Sequence, residues 1–103
     1  MFIYNVTVNV DAGIHDAWLA WMRQSHIPDV MRTGCFTACK LVKVLFVNEE
    51  GFTYSVQYTF KEIKDIETYQ GTFAKKLQAE HAEKFGQGTV AFRTMLEIID
   101  TFD

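Results

Sequence analysis

Two histidines and an arginine are the side chains of this 103-residue chain best suited to chemistry. His26 stands two residues before Pro28, the single proline, and since an unperturbed imidazole titrates near 6.5, a ring held at such a break can serve as a general base. At a helix C-terminus the same ring can instead satisfy a free carbonyl and the dipole. His81 adjoins Glu80 at the margin of an apolar helical stripe, where the carboxylate can orient the ring or a single hydrogen bond can satisfy it. Arg93 and Glu97 are four apart in a strand pattern and so share a face. Arg93 suits an anion or a developing oxyanion, or an ion pair with Glu97. His26 and His81 are therefore the expected catalytic residues.

Other chemistries lack their residues. There is no Gly-rich phosphate loop, no serine elbow, no His-x-x-x-His pair and no carboxylate-rich loop, so neither a metal site nor a cofactor is expected. Cys35 and Cys39 have no second cluster for a metal. Within a regular strand they would lie about 13 Å apart, beyond the ~7 Å limit for a disulfide, so both are expected as reduced, structural thiols. The net charge of −3 gives no field toward phosphate backbones or anionic lipid. No apolar run approaches the ~18 residues of a membrane span. The partners expected exclude nucleic acid and membrane, and a cytoplasmic location is the default.

The positioning elements follow from periodicity. Strands are expected over about Phe2–Val10, Phe36–Phe46, Phe52–Phe60 and Thr89–Ile99. A first helix starts after Asp11 as N-cap, with Ile14, Ala17, Trp18, Trp21, Met22 and Ser25 on its sheet-facing stripe. His26-Ile27-Pro28 should break it, and a short helix over Asp29–Thr33 should end at a left-handed Gly34. Asn48-Glu49-Glu50-Gly51 reads as a hairpin loop with Gly at a positive φ. A second long helix is expected over Glu62–Phe85, with Ile66, Tyr69, Phe73, Leu77 and His81 inward. Asp100–Asp103 reads as an acidic, frayed tail.

Strand, helix, strand, strand, helix, strand is the order of a ferredoxin-like α+β sandwich, a four-stranded antiparallel sheet with two helices on one face. One domain, residues 1–103, accounts for the chain. Phe2, Tyr4, Val6, Val8, Val10 and Phe52, Tyr54, Val56, Tyr58, Phe60 make one sheet face. Asn5, Thr7, Asn9 and Thr53, Ser55, Gln57, Thr59 make the other, which is polar and uncharged. Such a face suits a lined cavity or a subunit contact rather than open water. Gly51-Phe52-Thr53-Tyr54 resembles the start of an RNA-recognition motif, yet displaying those aromatics would bury Thr53, Ser55, Gln57 and Thr59 unsatisfied under the helices. Glu50 also stands where that motif wants a base. The aromatic face is therefore expected as core.

In length and element order the chain is similar to dimeric α/β-barrel proteins, among them antibiotic-biosynthesis-type monooxygenases, muconolactone-type isomerases and haem-degrading monooxygenases. It most resembles an uncharacterised bacterial domain-of-unknown-function family, the one numbered 4286. The resemblance rests on Tyr4-Asn5-Val6-Thr7-Val8, Trp18-Leu19-Ala20-Trp21-Met22, His26-Ile27-Pro28-Asp29-Val30-Met31, Gly34-Cys35-Phe36, Glu80-His81 and Ala91-Phe92-Arg93-Thr94. That family brings no activity. The barrel resemblance implies a homodimer through the bare sheet face and a small organic ligand between sheet and helices. Alternatives are a cofactor-independent monooxygenase or isomerase with a His base, and a purely structural or partner-binding dimer. The expected ligand-binding residues are Asn5, Thr7, Asn9, Ser55, Gln57, Arg93 and Glu97, all placed on the bare face. Likeness to the haem-degrading enzymes would make His81 an iron ligand and Asn5 its strand-one companion, but helix two has no Trp where those enzymes carry one.

Overall fold

The computed structural model describes all residues 1–103. Its sheet contains β1 (Phe2–Val10), β2 (Ala38–Val44), β3 (Phe52–Phe60) and β4 (Thr89–Glu97), all antiparallel in the order β2-β3-β1-β4. The β2–β3 hairpin closes through Gly51 at φ 80°. A Cβ there would meet the Val10 carbonyl oxygen at 2.3 Å, so only glycine fits.

The first helical arm is continuous where the sequence led us to expect a break at His26-Ile27-Pro28. After a 3-10 turn at Ala12–Ile14 comes α1 (His15–Trp21), then a π-helical segment Met22–His26, then α2 (Ile27–Met31). Asp11 opens the arm, but its side chain makes no capping bond. Pro28 does not stop the helix. The wide π turn lets the Ile27 N–H reach back to the Met22 carbonyl, which leaves room for a residue that lacks a donor and crowds the preceding turn. The second arm repeats the arrangement as α3 (Ile63–Thr68), a π segment Tyr69–Phe73 and α4 (Ala74–Phe85). Its start is capped by Asp65 Oδ2, which accepts from the Glu62 N–H at 3.0 Å.

The π segment also corrects the inward stripe. An extra residue enters the turn, so Tyr69 is followed inward by Ala74 and then Leu77, while Phe73 is only half-buried. A Cβ added at Gly71 would meet nothing within 4 Å, so this glycine serves no close packing contact.

Both arms cover one sheet face, and the core lies between them. Trp18, Phe60, Val10, Val30 and Val56 are essentially inaccessible, and truncating a Trp or Phe in such a place costs about 3–5 kcal/mol. Tyr54, Val56, Tyr58 and Phe60 are buried beneath the arms, as the polarity argument required. Cys35 and Cys39 are both free thiols. Burial pushes Cys39 up to about 11.

One expectation about β4 fails. Val6 pairs with Arg93, Val8 with Ala91 and Phe2 with Glu97, and residues directly opposite in an antiparallel pair share a face. Arg93 and Glu97 therefore belong to the helix side, while Val90, Phe92 and Leu96 lie on the bare side. The helices do not reach over this edge, because Ala91, Arg93 and Met95 stay exposed on their side of it.

Candidate functional site

Between the sheet and the two arms, beside uncovered β4, lies a partly enclosed cavity of about 50 Å³. Tyr4, Val6 and Val8 from β1, Val56 and Tyr58 from β3, and Ala91 and Arg93 from β4 form its sheet wall. The helical arms supply Met22, His26, Tyr69, Gln78 and His81. Met22 and His26 are the first and last residues of one π segment and Tyr69 the first of the other. A wider turn moves side chains off the ordinary helical rows, which is how π turns come to serve sites.

The three polar groups singled out from sequence as chemical meet here. The His26 and His81 rings are 5.8 Å apart, and Trp21 stacks on His26 at 4.9 Å. His81 Nε2 accepts a 3.0 Å hydrogen bond from Trp18 Nε1. Since indole can only donate, that nitrogen carries no proton, and neutral His81 bears its proton on Nδ1. The His26 Nδ1 is buried with no hydrogen-bond partner. Burial, then the neighbouring His81, pull His26 down to about 4, with Arg93 adding to the fall and Asp29 opposing it. His81 is lowered by burial and then by Arg93. Both rings are thus neutral near pH 7.

Arg93 supplies the positive charge. Its Nε donates to the Tyr4 hydroxyl at 3.0 Å, and no carboxylate lies within ion-pair distance, Glu97 included. Burial holds the Tyr58 and Tyr69 phenols well above their usual range, so they remain hydrogen-bonding groups rather than acids. The cavity therefore presents one open cation, two uncharged imidazoles and phenolic hydroxyls, with no acid in its lining.

The remaining expected residues are elsewhere. Asn5, Thr7, Ser55 and Gln57 form a chain on the bare face. There Ser55 donates to Asn5 Oδ1 at 2.6 Å, Asn5 Nδ2 to Thr7 at 3.1 Å and Gln57 Nε2 to Ser55 at 3.1 Å. Asn9 Nδ2 donates to Thr53 Oγ1 and to the Glu50 carbonyl. Asn5 thus shares no cavity with His26, His81 and Arg93, and Glu97 lines neither. Sequence reasoning missed Tyr4, Tyr58, Tyr69 and Met22, because aromatic and apolar residues on an inward face read as packing, and Gln78, which lies off the expected inward stripe. It also missed His15, whose ring joins Asp16 (3.0 Å) and the Tyr54 hydroxyl (2.6 Å) over Phe52.

An antiparallel βαββαβ sheet with both helical arms on one face and a cavity beneath them defines the ferredoxin-like class. The family model described as "Domain of unknown function (DUF4286)" matches residues 1–99, and the chain belongs to that family. No curated protein matches it. Among solved structures, an "ethyl tert-butyl ether d (ethd) family protein" from Bacillus halodurans is similar at a TM-score of 0.73 and 11% identity, over 96% of this chain and 100% of that one. A dimeric ferredoxin-like protein from an uncultured marine organism gives 0.73 and 11%, over 98% and 97% of the two chains. A mutant of MhuD, solved with two manganese protoporphyrin IX molecules per active site, gives 0.70 and 16%, over 100% and 99%. At these identities the likeness is one of fold. A porphyrin does not fit the present residues: His81 Nε2 is already engaged by Trp18, and the cavity of about 50 Å³ holds only about four water-sized groups.

Proposed function

We propose that the chain is a homodimer joined through its bare sheet face and that each copy binds a small organic anion between sheet and helices. The observation that carries the ligand reading is the convergence of Arg93, free of any carboxylate, with two neutral histidines in one cavity. A guanidinium near a dry wall favours a carboxylate or enolate oxygen, and the neutral rings add hydrogen-bonding groups without repelling charge. The volume suits a short-chain acid rather than a polycyclic ligand. Asn5, Thr7, Asn9, Ser55 and Gln57 belong to the dimer half of the proposal. Asn5, Thr7, Ser55 and Gln57 satisfy one another in the middle of the bare face and Asn9 bonds Thr53 beside them, flanked by exposed Val42 on one side and Val90, Phe92 and Leu96 on the other. Apolar flanks around a polar centre suit contact with a like sheet. The solved ferredoxin-like relative described as dimeric supports the same assembly.

Calorimetric titration with propionate tests the ligand half. Saturable binding that Arg93→Gln abolishes supports it, and no heat at millimolar propionate removes it.

A second reading, a cofactor-independent isomerase or monooxygenase, is favoured by the buried, unpartnered His26 Nδ1. Within this reading His26 is the base, since Trp18 occupies the corresponding electron pair of His81. Deuterium uptake at C2 of acetoacetate, accelerated by the protein and lost in His26→Gln, would support it. Uptake at the buffer rate would leave binding alone.

A further inference from the structure

A second concavity of about 580 Å³ lies on the helix side of the opposite sheet edge, between the first helical arm and β2. Leu19, Ile27, Met31 and Leu41 give it an apolar floor, Arg23 and Lys43 rim it, and no carboxylate lines it. Neither cation has an ion-pair partner. Lys43 instead rests over the Phe52 ring at 4.8 Å.

The complementary feature is the segment that follows β4. Ile99 and Phe102 are 84% and 88% exposed, and Asp100 and Asp103 bracket Phe102 in sequence. An aromatic ring left in water between two acids matches an apolar floor between two bases.

We propose that Phe102 of one copy seats in this groove of a second copy, with Asp100 and Asp103 meeting Arg23 and Lys43. The proposal rests on the homodimer reading above. The segment does not serve its own groove, for β4 and β2 are opposite edges of the sheet. Three strand spacings, about 14 Å, separate them with the helix layer in between, and six residues spanning at most about 20 Å do not go around it. Seating the ring also covers one side of the exposed β2 edge, a strand edge that proteins seldom leave open.

Cys39 lines the groove and provides the test. In the full chain carrying Thr101→Cys, copper–phenanthroline oxidation is expected to give a disulfide-linked two-chain product on a non-reducing gel. Adding Cys39→Ser should abolish that product. Adding Phe102→Ala, or Arg23→Glu with Lys43→Glu, should slow it at least tenfold at equal protein concentration. No two-chain product, an intrachain product only, or a rate unchanged by Phe102→Ala overturns the proposal. Sedimentation equilibrium of the unsubstituted chain separates the two claims. A one-chain mass removes both, whereas a two-chain mass without cross-linking removes the groove contact and leaves the sheet-face dimer standing.

Discussion

Trp18 Nε1 donates to His81 Nε2 across 3.0 Å, joining the most buried residue of the first helical arm to a ring on the second. That bond commits His81 to one tautomer and removes its Nε2 from proton chemistry. His26, 5.8 Å away, is left as the ring with a free, buried nitrogen. The two histidines are therefore unequal: one is a fixed donor, the other an available acceptor.

Replacing Trp18 by Phe keeps a large apolar group but leaves His81 Nε2 without its donor. A cost of about 1–3 kcal/mol is expected from the unsatisfied group, together with any cavity left by the smaller ring. The neutral form of His81 loses its supporting bond, so its pKa rises toward the ordinary histidine value. Denaturant melts and the ring-nitrogen shifts of His81 against pH measure the two effects.

Acid should destabilise the fold through His26. Its folded pKa of about 4 lies below the ordinary histidine value of 6.5, so between these values the unfolded chain binds the proton and the folded chain does not. Stability from this group is whole above about pH 6.5 and falls as pH drops toward 4, by a total on the order of 3 kcal/mol. His26→Phe should lose that portion of the acid sensitivity. It should also melt at higher temperature near pH 7, because the orphaned nitrogen is gone and a ring remains to stack on Trp21. Equal acid sensitivity in both proteins would contradict this.

Arg93→Gln removes a positive charge that depresses both rings. His26 and His81 should both titrate at higher pH in the variant, while global stability changes by less than about 1 kcal/mol because Arg93 is an exposed edge residue. Propionate affinity should fall at least tenfold. A binding loss without the rise in both histidine pKa values would place Arg93 outside the shared cavity.

Much of the architecture was legible because Tyr54, Val56 and Tyr58 alternate cleanly with Ser55 and Gln57. Only one assignment of the β3 faces avoids burying unsatisfied polar groups. On β4 the same rule misled, since Val90, Phe92 and Leu96 look more apolar than Ala91, Arg93 and Met95, yet register with β1 sends the apolar set outward. Hydrophobicity names the face that is buried somewhere, and on this edge strand that need not be against the chain's own helices. The histidines and Arg93 were legible by type. Their meeting was not, because it depends on two π turns that a 3.6-residue period does not encode and on tyrosines that read as core.

The bare face makes its own prediction. Phe92→Asp together with Leu96→Asp adds uncompensated negative charge to the exposed apolar flank of a sheet surface whose centre is self-satisfied. It should leave the monomer fold intact by circular dichroism. Sedimentation equilibrium should show two chains for the unsubstituted protein at micromolar concentration and one chain for this variant. A variant that remains two chains would move the interface elsewhere.

The most direct test of the cavity is a long-range proton–nitrogen spectrum of the histidine rings during propionate titration, with the unsubstituted and Arg93→Gln chains in parallel. The expected result is a saturable change at both His26 and His81, with a Kd on the order of 1 mM for so small a ligand, and none at either ring in Arg93→Gln. Rings that do not respond, or that respond equally in the two chains, would contradict an anion site built from Arg93, His26 and His81.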